Sequence, residues 1–570
     1  MKRLILSLYI CVAGCLAGAA STPPEPLSSP KRETRAVWLT TYSSLDWPKA
    51  KATSPAGIKA QQEELCRILD RLKEIHINTV LLQTRVRGSV IYPSDIEPWD
   101  ACLTGTPGRS PGYDPLAFAI AECHRRGMEL HAWLVAIPCF KTSAAPASKK
   151  SVLKTHPHLC VRHNDSWYLN PGEPETAAYL ASICHEITSR YDIDGIHFDY
   201  IRYPENAGRF NDAAAYRKYG KKQNKADWRR ANVTRCVRTM YKTVKDIRPW
   251  VKVSSSPVGK FSDLSRYPSH NWNAYSAVYQ DAQGWLREGI QDLLFPMMYF
   301  RGNHFFPFAI DWKENAYGRP VIPGLGIYFL SPKEKDWPLT DITRELYFTR
   351  TLKTGGQAFF RYAYLNDNHK GLFDFLKQVF YPYPALTMAC HSADSIAPTA
   401  PGNLHKSEGP DGYRLHWSAA TDNVCGKDVR YNVYASPSAA ADITSASNLI
   451  ATYVDSCSLP IDITYCTLHG ISFAVTAIDR FGNESRPARL AAHGYEAPAS
   501  SPRFLPHDGI TLQISGQHSP YFVIVDLQGH IVGTAPGDRP VRIGHLPKGI
   551  YEIRTLGKKG RSENIGHFIK

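Results

Sequence analysis

A chain of 570 residues is too long for one hydrophobic core, and two to four domains are expected. Hydrophobic content of 43% with 21% charged residues is that of an ordinary globular protein and sets wholesale disorder aside. The net charge of +15 favours an anionic partner, such as an acidic glycan or anionic lipid. No nucleic-acid motif accompanies the densest basic run, Lys221, Lys222, Lys225, Arg229 and Arg230, which reads as a solvated helix face.

The N-terminus reads as an export signal over 1–20: Lys2 and Arg3, then an apolar core over 4–13 that is too short to span a bilayer. Val12-Ala13-Gly14-Cys15 resembles a bacterial lipoprotein box that would lipidate Cys15, in competition with a conventional cleavage site at Ala17-Gly18-Ala19. The periplasm or outer membrane is the expected location, with any membrane contact made through Cys15. Residues 21–32 form a Pro/Ser-rich tether.

From Arg35 short apolar runs alternate with amphipathic segments. A strand over 35–40 precedes a helix over 58–75 with Leu65, Ile68, Leu69, Leu72 and Ile75 on one face. A strand over 77–83 leads into a long excursion over 85–111. Asp114 and Pro115 start a helix that Gly127 closes, followed by a strand over 128–135 and a helix over 177–190. The stretch over 191–204 is the fourth strand, with Ile193, Ile196, Phe198 and Ile201 apolar and charged groups crowding its C-terminal end. Runs over 250–257, 290–299, 321–329 and 357–362 bring the strands to eight. That alternation predicts an α/β chain, a (β/α)8 TIM barrel over 33–385. The rival, an open doubly wound sheet, lacks a Gly-rich phosphate turn after an early strand. After a linker at 396–401, alternating runs predict a β-sandwich within 396–496, and 501–570 reads as a small C-terminal β domain.

The 13 cysteines include no CxxC pair and suggest no zinc site; Cys425, Cys457 and Cys466 offer one bridge of unknown pairing. His156, His158 and His163 read as solvated loop histidines rather than a metal site. There is no Gly-x-Ser-x-Gly elbow or P-loop, so neither metal nor organic cofactor is expected.

Several motifs fall in order: Arg35-Ala36-Val37-Trp38, Leu45-Asp46-Trp47-Pro48, Gln83-Thr84-Arg85, Tyr92-Pro93-Ser94 through Glu97-Pro98-Trp99, His131-Ala132-Trp133 and Asp194-Gly195-Ile196-His197-Phe198-Asp199-Tyr200. With Tyr279-Gln280-Asp281, Trp285, Asp292, Pro296 and Tyr299, they resemble the glycosyl-hydrolase-like 10 family of exported bacterial TIM-barrel proteins over about 33–380. The resemblance implies hydrolysis of glycosidic bonds in a polysaccharide or oligosaccharide, with peptidoglycan glycan strands a substrate class. Pro401-x-Asn403-Leu404, Leu415-x-Trp417 and Val475-x-Ala477-x-Asp479-Arg480-x-Gly482-Asn483 resemble a fibronectin type III module.

Glycoside hydrolysis usually needs two carboxyl groups flanking the scissile bond. Asp199 is the first, near the end of strand four and on one face with His197 by alternation. Asp194 reads as structural. Arg202 is expected to hold an anionic group or to pair with Asp199 and keep it ionised. For the second carboxylate Asp281 and Glu97 rank ahead of Asp95, Glu205 and Asp46. Gln83, Arg85, Trp99, His131, Trp133, His197, Arg202 and Tyr299 are the expected sugar contacts. The fourth-strand run also resembles the signature of family 18 chitinases, but His197 replaces its middle Asp and Ile201 stands where that family has its acid Glu. Two rival readings are a non-catalytic glycan-binding or scaffolding protein and a metal-dependent hydrolase.

Overall fold

The computed structural model describes residues 29–570 apart from 145–147, 268–271, 391–393, 410–411, 437–439, 462–470, 492–506, 508, 513, 515–520, 527–529, 537–539, 548 and 557–561. The expected export signal and lipidation site, most of the tether, and Cys466 lie outside the described residues.

Eight parallel strands form one sheet: β1 (Thr34–Leu39), β2 (Thr79–Arg85), β3 (Glu129–Val135), β4 (Gly195–Asp199), β5 (Lys252–Ser255), β6 (Leu293–Leu294), β7 (Gly324–Leu325) and β8 (Gly356–Phe359). Neighbours follow chain order, and β8 returns to pair with β1, with Ala36 opposite Ala358. Bridges from Leu294 to Val321 and from Met297 to Gly324 close the gap between β6 and β7, so the sheet is a closed barrel.

The helices are built as the sequence suggested. The helix Pro55–Lys73 buries Leu65, Ile68, Leu69 and Leu72 and starts at Ser54, whose side chain accepts the Gly57 N–H. Asp114 caps Pro115–His124 in the same way, and Gly127 follows that helix at φ +71, a backbone that favours glycine. The basic run departs from expectation. Lys221 and Lys222 are exposed, but Arg229, on the helix Lys225–Ile247, is buried against Asp212 through two hydrogen bonds of 2.7 and 2.9 Å. Its one buried acid partner makes it a brace rather than a solvated charge.

Alternation along the strands decides what fills the barrel. Glu129, His131 and Trp133 share one face of β3, and Gly195, His197 and Asp199 share one face of β4. The middle is filled by Trp38, Phe295 and His197, with the Trp38 indole N–H 3.2 Å from His197 Nε2 and His197 Nδ1 3.0 Å from Ser254 Oγ. Gly195 is needed here: a Cβ would sit 2.5 Å from the His131 ring.

Beyond the barrel, Gly402–Gly409, Gly412–Ser418 and Ser458–Ile461 form one antiparallel sheet. Leu449–Val454, Arg430–Ser436, Ser472–Ile478 and Ala488–Leu490 form a second. Leu415, Trp417, Tyr431, Val433, Phe473 and Val475 from the two sheets share one core. A further antiparallel sheet, Tyr521–Asp526 with Ile531–Pro536, Ile550–Leu556 and Ser562–Ile569, joins that core through Val523 and Val525. Cys425 and Cys457 are both free thiols.

The two-sheet region meets the barrel at the N-terminal ends of its strands. Asp194, just before β4, accepts from Leu130 N–H at 2.9 Å and pairs with His124 at 2.7 Å and with Arg430 and Arg480 at 3.4 Å each. Glu129 takes Lys252 at 2.6 Å, while the Thr387 hydroxyl bonds both Glu129 and Tyr453. The floor of the barrel is therefore an ionic seam, which leaves its opposite face open for chemistry.

Candidate active site

Asp199 ends β4 at the C-terminal face and is 5% exposed. One carboxylate oxygen, Oδ1, accepts the Tyr200 N–H and the Ser256 hydroxyl, both at 2.8 Å. The other, Oδ2, accepts the Trp133 indole N–H at 3.1 Å. Tyr200 turns the chain at φ +49, a left-handed backbone uncommon for an aromatic residue, and so points its own N–H back at the acid. Burial pushes the Asp199 carboxyl above its ordinary value; the Ser256, Tyr200 and Trp133 bonds and the nearby Arg202 charge oppose that shift without cancelling it.

The expected Asp199–Arg202 ion pair is not what forms. Arg202 instead donates to Glu205 Oε1 at 2.8 Å and to the Tyr203 carbonyl at 3.1 Å. Its guanidinium lies over the rings of Tyr200, at 4.7 Å, and Trp272, at 5.3 Å. The reason is local: Glu205 is three residues on, at a turn just past Pro204. Partial burial tends to raise the Glu205 carboxyl, but the Arg202 charge and hydrogen bond outweigh it and hold the group below its usual range. The two carboxyls thus shift in opposite directions, Asp199 upward through burial and Glu205 downward through Arg202.

Aromatic rings stand near Asp199 and Arg202. The half-buried Tyr299 ring lies 5.4 Å from Phe360 and 5.8 Å from Tyr328, and the Asp199 charge adds to burial in raising its phenol. Trp272 is 44% exposed at the rim. To one side, a cavity of about 450 Å³ is lined by Tyr42, Arg87, Trp99, Phe140 and Lys141. Arg87 belongs to both places: it lines the cavity, and its charge reaches Tyr200 and Glu205.

Other expected contacts are placed elsewhere. Glu97 and Arg85 both have fully buried side chains and are paired at 2.6 and 2.7 Å; Arg85 also donates to the Val135 and Ala136 carbonyls at the β3 exit. Tyr179 donates to Glu97 at 2.8 Å, so that carboxylate has structural partners on each side. Asp281 caps the helix Ala282–Glu288 through the Gly284 N–H at 3.1 Å. Asp46 pairs with Arg361, and Asp95 with Arg190. Gln83 is spent on Thr40, Thr41 and Tyr42 through one oxygen. His197 lies in the barrel's middle and His131 lies deeper, 3.1 Å from Glu129, so neither reaches the mouth. Trp133 and Trp99 do reach functional surfaces, one at Asp199 and one in the side cavity. The histidines of the long loop scatter: His158 meets Glu175, His163 meets the Glu205 carbonyl and His156 meets Thr155. Ser256, Tyr200, Arg87 and Trp272 were not singled out from the sequence. Alternation from Ser254 would have found Ser256; the other three depend on loop paths that sequence periodicity does not encode.

An eight-stranded parallel barrel with a buried acid at the end of β4, a second carboxylate on the following loop and aromatic walls is the architecture of a TIM-barrel glycoside hydrolase. The glycosyl hydrolase-like 10 family model matches residues 33–331, and the chain belongs to that family. It is 31% identical over 510 residues to the glycosyl hydrolase YngK of Bacillus subtilis, covering 86% of this chain and 97% of that one. It is also 31% identical over 407 residues to the glycosyl hydrolase DigH of an Escherichia coli O6:H1 strain, covering 63% of this chain and 93% of the relative.

Proposed function

We propose that this enzyme is exported and cleaves an anionic cell-envelope glycan, peptidoglycan strands foremost, with Asp199 as general acid and Glu205 as the ionised carboxylate. The observation that carries the assignment is the division of labour at the mouth: Asp199 is buried with its carboxyl raised, while Arg202 is committed to Glu205. The proton on Asp199 passes to the glycosidic oxygen as the bond to the anomeric carbon breaks; water then adds to that carbon as the new hydroxyl, and the proton it gives up is taken by one of the two carboxylates, which restores the starting charge. The charge of Glu205 favours the oxocarbenium-like transition state. Trp133 and Ser256 hold the acid in line, and Tyr299 and Trp272 offer ring faces to sugars.

Support for an anionic glycan comes from the excess of 15 positive charges and from Arg87 and Lys141 in the side cavity. Export rests on the N-terminal sequence, with Cys15 as the lipid anchor. The fibronectin III-like two-sheet region and the C-terminal sheet then serve as spacer, glycan-contact or targeting modules.

The test is turnover of purified sacculi and of defined oligosaccharides by the wild type, Asp199→Asn and Glu205→Gln. Each variant is expected to lose about 10²–10⁴-fold in kcat with its fold intact. Wild-type turnover in Asp199→Asn rejects the assignment, and binding without turnover by the wild type supports a glycan-binding protein instead.

A further inference from the structure

Three carboxylates converge far from the barrel's mouth. Asp394 lies on the connector between barrel and two-sheet region, Asp422 in the turn after the strand Gly412–Ser418, and Asp479 directly after the strand Ser472–Ile478. One oxygen of each lies within 4.8 Å of the others. Among the described residues no lysine, arginine or histidine forms an ion pair with any of the three, although the chain carries an excess of 15 positive charges. The adjacent Arg480 points away, to Asp192, Asp194 and Asp428. Like charges so close repel, and burial strengthens the repulsion.

A second observation is independent of the clustering. The Oδ2 atoms of Asp394 and Asp422 are buried and have no hydrogen-bond partner. The other oxygens are occupied: Asp394 Oδ1 accepts from Ile396 N–H, Asp422 Oδ1 from Val424 and Cys425 N–H, and Asp479 Oδ1 from Phe481 and Asn483 N–H. Buried polar atoms are normally paired. These two are the oxygens left over after every turn-forming bond has been made, and each is closed off from solvent although its residue is only partly buried.

We propose that Asp394, Asp422 and Asp479 bind one calcium ion that fastens the connector to the two-sheet region. The donors are all hard oxygens, which suits calcium or magnesium rather than a transition metal. Calcium, at about 2.3–2.6 Å from each ligand, lets opposite oxygens stand nearly 5 Å apart, and waters complete its coordination. Magnesium, at about 2.0–2.1 Å, draws ligands closer and holds its waters more strongly. Asn483 already ties the connector to this place, donating from its amide to the Asp394 carbonyl at 3.2 Å and to Asp479 Oδ2 at 2.8 Å. An ion here would extend that tie beside the seam where Arg480 meets the barrel.

The test is calorimetric titration of the EDTA-treated full chain with CaCl2, and separately with MgCl2, alongside thermal unfolding. One calcium per chain is expected, with Kd on the order of 10⁻⁴ M or tighter, and millimolar CaCl2 should raise the unfolding midpoint of the two-sheet region by several degrees. Asp394→Asn and Asp422→Asn retain an acceptor for their turn bonds, so each should fold, bind calcium at least tenfold more weakly and keep glycosidase turnover. Absence of calcium binding by the wild type overturns the proposal, as does undiminished binding in both variants. Equal affinity for magnesium overturns the assignment to calcium.

Discussion

Substituting Glu97 by Gln separates a structural carboxylate from a catalytic one. The Arg85 and Glu97 side chains have no exposure, and Arg85 takes both Glu97 oxygens, at 2.6 and 2.7 Å. Burial alone lowers the Arg85 pKa; Glu97's charge and hydrogen bonds reverse that and raise it overall. Glu97→Gln keeps the shape and the Tyr179 contact but leaves the guanidinium without its counter-charge. Breaking a buried pair from one side costs about 3–5 kcal/mol, which corresponds to a fall on the order of 10 °C in the barrel's transition. Thermal unfolding by calorimetry measures this, and turnover per folded molecule below the transition should stay within about twofold of wild type. An unchanged midpoint together with lost turnover would refute the reasoning and return Glu97 to the catalytic pair.

Three further outcomes follow from the same geometry. As general acid, Asp199 works below its folded pKa, so activity falls as pH rises through that value. Ser256→Ala removes a bond that lowers this pKa, so the alkaline limb of kcat/KM should move upward; an unmoved limb argues against Asp199 as the titrating acid. Asp281→Ala should cost about 1 kcal/mol as a lost helix cap with turnover unchanged, whereas loss of turnover at full stability would make Asp281 catalytic. Asp194 is held below its ordinary carboxyl value of 3.8, where His124, Arg430 and Arg480 overcome the opposing effect of burial. A depressed folded pKa gives stability that is present above 3.8 and lost as pH falls below it. The seam between barrel and two-sheet region should therefore weaken in acid, and Arg480→Ala should flatten that dependence in pH-resolved calorimetry.

The barrel was legible because its signals are local. Each strand carries an apolar run, and Asp114, Pro115 and Gly127 mark one helix's ends in the order that backbone chemistry requires. Alternation placed His197 and Asp199 on one face, as found, but the same period could not give depth. His131 and His197 point inward yet lie below the mouth, where Glu129 meets one nitrogen of His131 and Trp38 and Ser254 take the two of His197. Partner choice was less legible still. Arg202 has acids at 199 and 205 within reach, and only the chain's path after Pro204 selects Glu205. Arg229 looked like one more solvated charge because its acid, Asp212, is 17 residues away on another element. Glu97 and Asp281 stand in motifs shared with glycosidases, but a motif records a residue's position without saying whether it holds the fold or performs the chemistry.

The central claim is that Asp199 protonates the leaving group, and leaving-group dependence tests it most directly. Wild type and Asp199→Asn are compared on a glycan with a sugar leaving group and on an aryl glycoside whose leaving group needs no proton. The account predicts a loss of about 10²–10⁴-fold on the glycan and a much smaller loss on the aryl glycoside. Equal losses on both substrates, or no loss on either, would contradict it.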